Sequence, residues 1–200
     1  TAVYSSSLAP GTVTVTAYPE STPGRVLVFD LEVQPWRVER FEVSANVAQT
    51  AGEEFNVTVA ARDSSGRTVT TFLDYYSLYY SRTLEFEFSG PSSAPDGTAP
   101  VLPSHEDILS AFDNGVAEVP VTLYSAEDVE MDFTDGTVSG RSNAVEVTHA
   151  QPHAFTLDAP GAVSAGQTFE MTASVFDRYG NPATGYNPDG KNFVFSGPAD

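Results

Sequence analysis

The sequence predicts an all-β chain of tandem antiparallel β-sandwiches with Greek-key connections. Three observations lead there. Apolar and polar residues alternate at a period of two, Asx-Gly turn signals punctuate the chain, and a long stretch repeats itself 114 residues further on.

The repeat sets the frame. Phe41 to Phe72, FEVSANVAQTAGEEFNVTVAARDSSGRTVTTF, aligns without a gap on Phe155 to Tyr186, FTLDAPGAVSAGQTFEMTASVFDRYGNPATGY. Phe41 meets Phe155, Ala51-Gly52 meets Ala165-Gly166, Phe55 meets Phe169, Asp63 meets Asp177 and Gly66 meets Gly180. Phe88-Ser89-Gly90-Pro91 then matches Phe195-Ser196-Gly197-Pro198 at the shorter separation of 107, so the first copy holds an insertion of seven residues. The opening residues Ala2 to Val33 run in a succession similar to Val119 to Val147. Three units follow: the final strands of one repeat (residues 1–39), a complete repeat (40–150) and the leading strands of a third (151–200). Both ends are expected to cut through a module. Each half is then completed either by a longer parent chain or by a neighbouring copy.

Within the complete repeat, Phe55, Val57, Val59 and Ala61 alternate with Asn56, Thr58, Ala60 and Arg62. Leu84, Phe86 and Phe88 alternate with Glu85 and Glu87, and Val119, Val121 and Leu123 with Glu118, Pro120 and Thr122. Pro120 places its strand at a sheet edge, because proline donates no ladder hydrogen bond. Ile108 to Phe112 is expected as a further strand, since no segment sustains a helical period of useful length. Asp96-Gly97, Asn114-Gly115, Asp135-Gly136 and Asp189-Gly190 supply residues that tolerate the positive φ of tight turns.

Composition narrows function by exclusion. Twenty-seven acidic residues against nine basic ones give a net charge of −18, which opposes binding to nucleic acid or an anionic membrane. Eight of the nine basic residues are arginines and one, Lys191, is a lysine, a balance that suits a saline setting and also an ordinary acidic secreted protein. Cysteine is absent, so neither disulfides nor thiolate metal sites contribute. No apolar run approaches the length of a membrane span. The 40% hydrophobic content is ample for packed cores.

The strings AGEEFNVTVAARDSSGRTVTTF, AGQTFEMTASVFDRYGNPATGY, FSGP and NGVAEVPVTLYSA resemble the tandem immunoglobulin-like repeats of bacterial and archaeal surface proteins, of invasin, intimin or filamin-like type. The resemblance implies immunoglobulin-like sandwiches and an extracellular or cell-surface setting. It does not select a task, because such modules serve as stalks, filaments, adhesin arms and spacers in secreted enzymes.

A search for chemistry returns little. GxSxG, HExxH, GxGxxG and a phosphate-binding glycine loop are all missing, so no catalysis is expected. His149 and His153 flank a junction, where an exposed linker role competes with a metal pair. His105-Glu106-Asp107 offers ligands, although on an extended chain neighbours point to opposite faces. Calcium is the candidate ion, with Asp63, Asp177 and Asn181 as candidate ligands. The competing reading has Asp63 and Asp177 bonding the backbone of their own turns. Asn56-Val57-Thr58 is a glycosylation sequon that also reads as an ordinary exposed strand asparagine.

The connections between repeats are short and contain Pro35 and Pro152 rather than Gly/Ser runs, so neighbours should hold a semi-fixed orientation. Trp36 sits in the first junction, packed between modules or capping one of them. Tyr75, Tyr76, Tyr79 and Tyr80 occupy the insertion that the sister repeat replaces by Asn187 to Lys191, NPDGK. They form a candidate contact loop for a protein or glycan, or a lid on their own sandwich. The expected role is a structural segment of a long surface protein that associates end to end. An adhesin arm and a spacer of a large secreted hydrolase are the alternatives.

Overall fold

The computed structural model describes residues 11–17, 27–33, 37–73, 85–187, 189, 194 and 196. Strands β1 (Gly11–Ala17) and β2 (Leu27–Val33) form an antiparallel pair, with Gly11 opposite Val33 and Ala17 opposite Leu27. The central body follows, built from β3 (Arg40–Ala45), β4 (Ala48–Thr50), β5 (Glu54–Arg62), β6 (Glu87–Ser89), helix α1 (His105–Ala111), β7 (Val116–Thr122), β8 (Asp128–Val129), β9 (Asp132–Thr134), β10 (Ser139–Arg141) and β11 (Val145–Thr148). A second antiparallel pair closes the described chain: β12 (Pro152–Asp158) with β13 (Thr172–Asp177).

Three small sheets make the central body. One runs β3-β5-β7 and a second runs β10-β9-β6, all pairs antiparallel. The third runs β4-β11-β8, in which β4 and β11 lie parallel. Alternation decides which side of each strand is buried: Phe55, Val57 and Val59 of β5 point inward while Glu54 and Asn56 face solvent. Pro120 lies in β7, which ends its sheet, as its missing N–H requires. Gly140 of β10 crosses so close to Phe41 of β3 that a Cβ there would overlap the Phe41 carbonyl.

Phenylalanines fill the core. The Phe133 ring stands 4.8 Å from that of Phe41 and 4.9 Å from that of Phe88, while Phe72 lies 4.9 Å from Phe112. These edge-on and tilted geometries suit the ring quadrupole. Val57, Val119, Val121, Met131 and Val145 pack around them, all nearly or wholly inaccessible to solvent.

The expectation of a strand at Ile108 to Phe112 is wrong. Residues 105–111 form a helix, started by a capping box in which the Ser104 hydroxyl accepts from Asp107 N at 3.2 Å and Asp107 Oδ2 accepts from Ser104 N at 3.1 Å. At under two turns, it is too short to display an apolar period. It buries one residue, Ile108, completely. The extended geometry expected for His105-Glu106-Asp107 falls with it. His105 instead stacks on Phe86, and its Nδ1 accepts from Phe86 N at 3.0 Å.

Phe155 and Leu157 of β12, and Phe169 and Met171 in the segment leading into β13, remain about half exposed. The Phe155 ring meets that of Tyr186 edge-on at 5.5 Å.

Candidate functional site

The two most deeply buried polar residues among those described, Asp177 and Asn181, lie together at the joint between the central body and the β12–β13 pair. It is built on the turn Asp177-Arg178-Tyr179-Gly180-Asn181, which leaves the end of β13. Gly180 has φ +83°, a conformation glycine adopts without penalty. The Asp177 carboxylate organises the turn. Its Oδ1 accepts from Tyr179 N at 2.8 Å and Asn181 N at 2.9 Å, and its Oδ2 from Ala150 N and Asn181 Nδ2, both at 2.8 Å. Burial alone would raise the Asp177 pKa, but the Asn181 amide and the three backbone N–H groups outweigh it and hold the carboxyl below its ordinary value.

Asn181, 1% exposed, ties the turn to the central body. Its Nδ2 donates to Tyr124 O at 2.8 Å and its Oδ1 accepts from Ala126 N at 2.9 Å. One side-chain amide thereby satisfies a carbonyl and an N–H that would otherwise be stranded at the interface. Tyr179 supplies the apolar part. Its ring is buried, lies 4.9 Å from the Tyr124 ring, and belongs to the same hydrophobic cluster as the central core. The ring rests on Gly52, where a Cβ would collide with the Tyr179 hydroxyl. Arg178 lies over the ring, its guanidinium carbon 4.6 Å from the centroid and one nitrogen donating to the hydroxyl. Asp96 N donates to Tyr179 O at 3.1 Å.

His149 is a second tie. Its Nδ1 lies 2.7 Å from Ala150 O and its Nε2 2.9 Å from Thr184 O. Two carbonyl partners call for two N–H groups, which only the protonated ring has. The bonds to Ala150 and Thr184 raise its pKa, with burial opposing them. The exposed linker role expected for His149 therefore gives way to a half-buried clasp, and His153 stays exposed.

The structure brings together two of the three calcium candidates, Asp177 and Asn181. Asp63 belongs to a separate turn after β5, where its Oδ1 accepts from Ser65 N at 2.9 Å and Arg67 N at 2.8 Å. Hard cations need converging oxygens. Here N–H donors converge on both aspartates, which is the arrangement of an Asx turn. Among the described residues no group of three or more His, Asp or Glu could hold a metal ion. Pro152 opens β12 opposite Asp177 and adjoins the joint. Pro35, Trp36, Tyr75, Tyr76, Tyr79 and Tyr80 lie outside the described residues. Sequence reasoning missed Gly52, Tyr124, Ala126 and Tyr179. A signal existed for the last: the aligned positions carry Ser65 and Arg67 in one copy and Tyr179 and Asn181 in the other.

No family model and no curated protein matches the chain. Among solved structures it is similar to surface layer protein SbsC, domains 4-9, at 13% identity over 88% of this chain and 25% of that one, with a TM-score of 0.36. SbsC domains 4 and 5 align at 15% identity over 70% of this chain and 60% of that one, with a TM-score of 0.33. A longer SbsC chain, rSbsC(31-844), aligns at 13% identity over 88% and 21%, with a TM-score of 0.34. The chain thus spans about a quarter of the first of these structures. Superpositions this loose leave function to the chain's own residues. Among the described residues no helix is long and apolar enough to cross a membrane.

Proposed function

We propose that the chain is a structural, non-enzymatic segment of an extracellular or cell-surface protein, made of tandem immunoglobulin-like Greek-key modules held as a rod. The carrying observation is the joint. A flexible spacer would join its modules by a solvated linker, whereas here Tyr179 and Asn181 are buried against the central body and their polar atoms are paired across it. The linker between β11 and β12 is three residues long, and its His149 and Ala150 are themselves bonded to the following unit. Repetition of such joints transmits orientation from module to module. The strongly acidic surface suits a protein that meets salt water rather than nucleic acid. End-to-end association of modules follows from this reading.

Spin labels placed at exposed Glu118 in the central body and exposed Thr172 in β13 test it. A single narrow distance distribution is expected. A broad one means beads on a string and removes the rod. The adhesin reading keeps one observation of its own, the tyrosine-rich insertion that the sister repeat lacks. Replacing residues 75–80 with the NPDGK turn should leave the central body folded. Loss of cell or glycan adhesion by that variant would favour the adhesin over the pure rod.

A further inference from the structure

The two copies of the turn after β5 and β13 share a scaffold and differ in what they present. In both, an aspartate Oδ1 accepts from the backbone N–H groups two and four residues on, at 2.8 to 2.9 Å. In both, the aspartate N donates to the carbonyl of the fifth turn residue at 2.9 Å, Asp63 to Arg67 and Asp177 to Asn181. The fourth position is a glycine at φ +82° or +83°. The backbone of the turn is therefore fixed by Asp and Gly alone.

The remaining positions are Ser64, Ser65 and Arg67 in one copy and Arg178, Tyr179 and Asn181 in the other. Ser65 and Arg67 are exposed, while Tyr179 and Asn181 are buried in the joint. These are also the two residues whose side chains enter the central body. The receiving surface is equally specific: bare Gly52 and the Tyr124 ring accept an aromatic side chain, and Tyr124 O with Ala126 N accepts a group that both donates and accepts. A serine would leave the space over Gly52 unfilled. An arginine has donors only, so it leaves Ala126 N without an acceptor, and it would carry a charge into a site that is 1% exposed.

We propose that this surface is an address-reading site: the Gly52, Tyr124 and Ala126 face of the central module selects as its next neighbour a module whose turn reads Asp-x-Tyr-Gly-Asn. A module of the same kind with Asp-Ser-Ser-Gly-Arg is refused. Tyr179 and Asn181 are the specificity-determining residues, and whether a covalently joined neighbour docks rigidly is written in two positions of one turn. The proposal rests on the rod reading, since it needs the joint to be formed in solution.

Hydrogen exchange at three amides of the chain tests it. Asp96 N and Ala126 N donate across the joint to Tyr179 O and Asn181 Oδ1, whereas Ala150 N bonds Asp177 and reports whether the turn itself is intact. In the wild type all three should be protected. Unprotected Asp96 and Ala126 there would sink the rod reading, and the address with it. In the double exchange Tyr179→Ser with Asn181→Arg, protection at Asp96 and Ala126 should fall at least tenfold while Ala150 and the core amides Val57 and Val119 hold. Unchanged protection at Asp96 and Ala126 would overturn the address while leaving the rod in place. If Ala150 falls too, the single variant Tyr179→Ser decides, because every donor to Asp177 is then retained. Loss confined to Asp96 and Ala126 supports the address. Loss at all three, or at none, overturns it.

Discussion

Replacing Asp177 by Asn keeps the shape of the side chain and removes its charge, which makes the cost of the joint calculable. Two donors converge on each carboxylate oxygen, Tyr179 N and Asn181 N on one, Ala150 N and Asn181 Nδ2 on the other. Whichever way the new amide turns, its NH2 group faces two of them. Asp177 is 2% exposed, so water does not readily substitute. Each buried donor left unsatisfied costs about 1–3 kcal/mol, and the two bonds that survive lose their charge assistance. Allowing for relaxation, a loss of about 3 kcal/mol is expected, equivalent to roughly a hundredfold loss of exchange protection at Ala150, Tyr179 and Asn181. Asp158→Asn, an exposed site on β12, controls for charge alone and should change nothing. The pH dependence adds a second check. The folded Asp177 pKa lies below its ordinary value, so its contribution is complete above about 3.9 and is lost as pH falls through the lower folded value. The wild type should show that acid limb and the variant should lack it. A loss of protection smaller than tenfold, or the same acid limb in both proteins, would refute the reasoning.

The clasp at His149 gives the opposite sign: with its pKa raised in the folded state, its contribution is complete below about 6.5 and fades as pH rises through the folded value. An NMR titration of the His149 ring should give a midpoint above 6.5, ordinary for histidine, and a midpoint at or below that value removes the clasp. Ile108→Ala should cost about 2–5 kcal/mol in denaturant unfolding of the central body, because Ile108 is fully buried; a cost below about 1 kcal/mol would place the helix outside the core.

The strands of the central body were legible because half-buried strands write their faces into the sequence: Phe55 to Ala61 alternates, and the structure buries the apolar members. At the turn signals Asn114-Gly115 and Asp135-Gly136, Asn114, Gly115 and Gly136 lie at positive φ. Helix α1 was not legible as a period, and its signal was the cap, Ser104 with Asp107 three residues on. The joint was half legible. Asp177 and Asn181 drew notice as oxygen-rich residues, but ligand and acceptor look alike in one dimension. Only the folded positions of Ala150 N, Tyr179 N and Asn181 N show that N–H donors converge on the Asp177 carboxylate, and only those of Ala126 N and Tyr124 O show that the Asn181 amide is paired. Tyr179 looked like an ordinary turn residue, since its partners Gly52 and Tyr124 are remote in sequence.

The parallel pairing of β4 with β11 has a mechanical consequence. Ala48–Thr50 lies shortly after the chain enters the central body, and Val145–Thr148 is the strand by which it leaves. The two run in the same direction side by side, bonded by Glu146 N to Val47 O at 2.7 Å, Ala51 N to Thr148 O at 2.8 Å and the Thr148 hydroxyl to Gln49 O at 3.0 Å. Opposite pulls on the two ends of the chain slide these strands along each other instead of peeling them apart. The bonds then share the load and fail together, so in the proposed rod this short seam beside the joint would resist tension by shear rather than by unzipping.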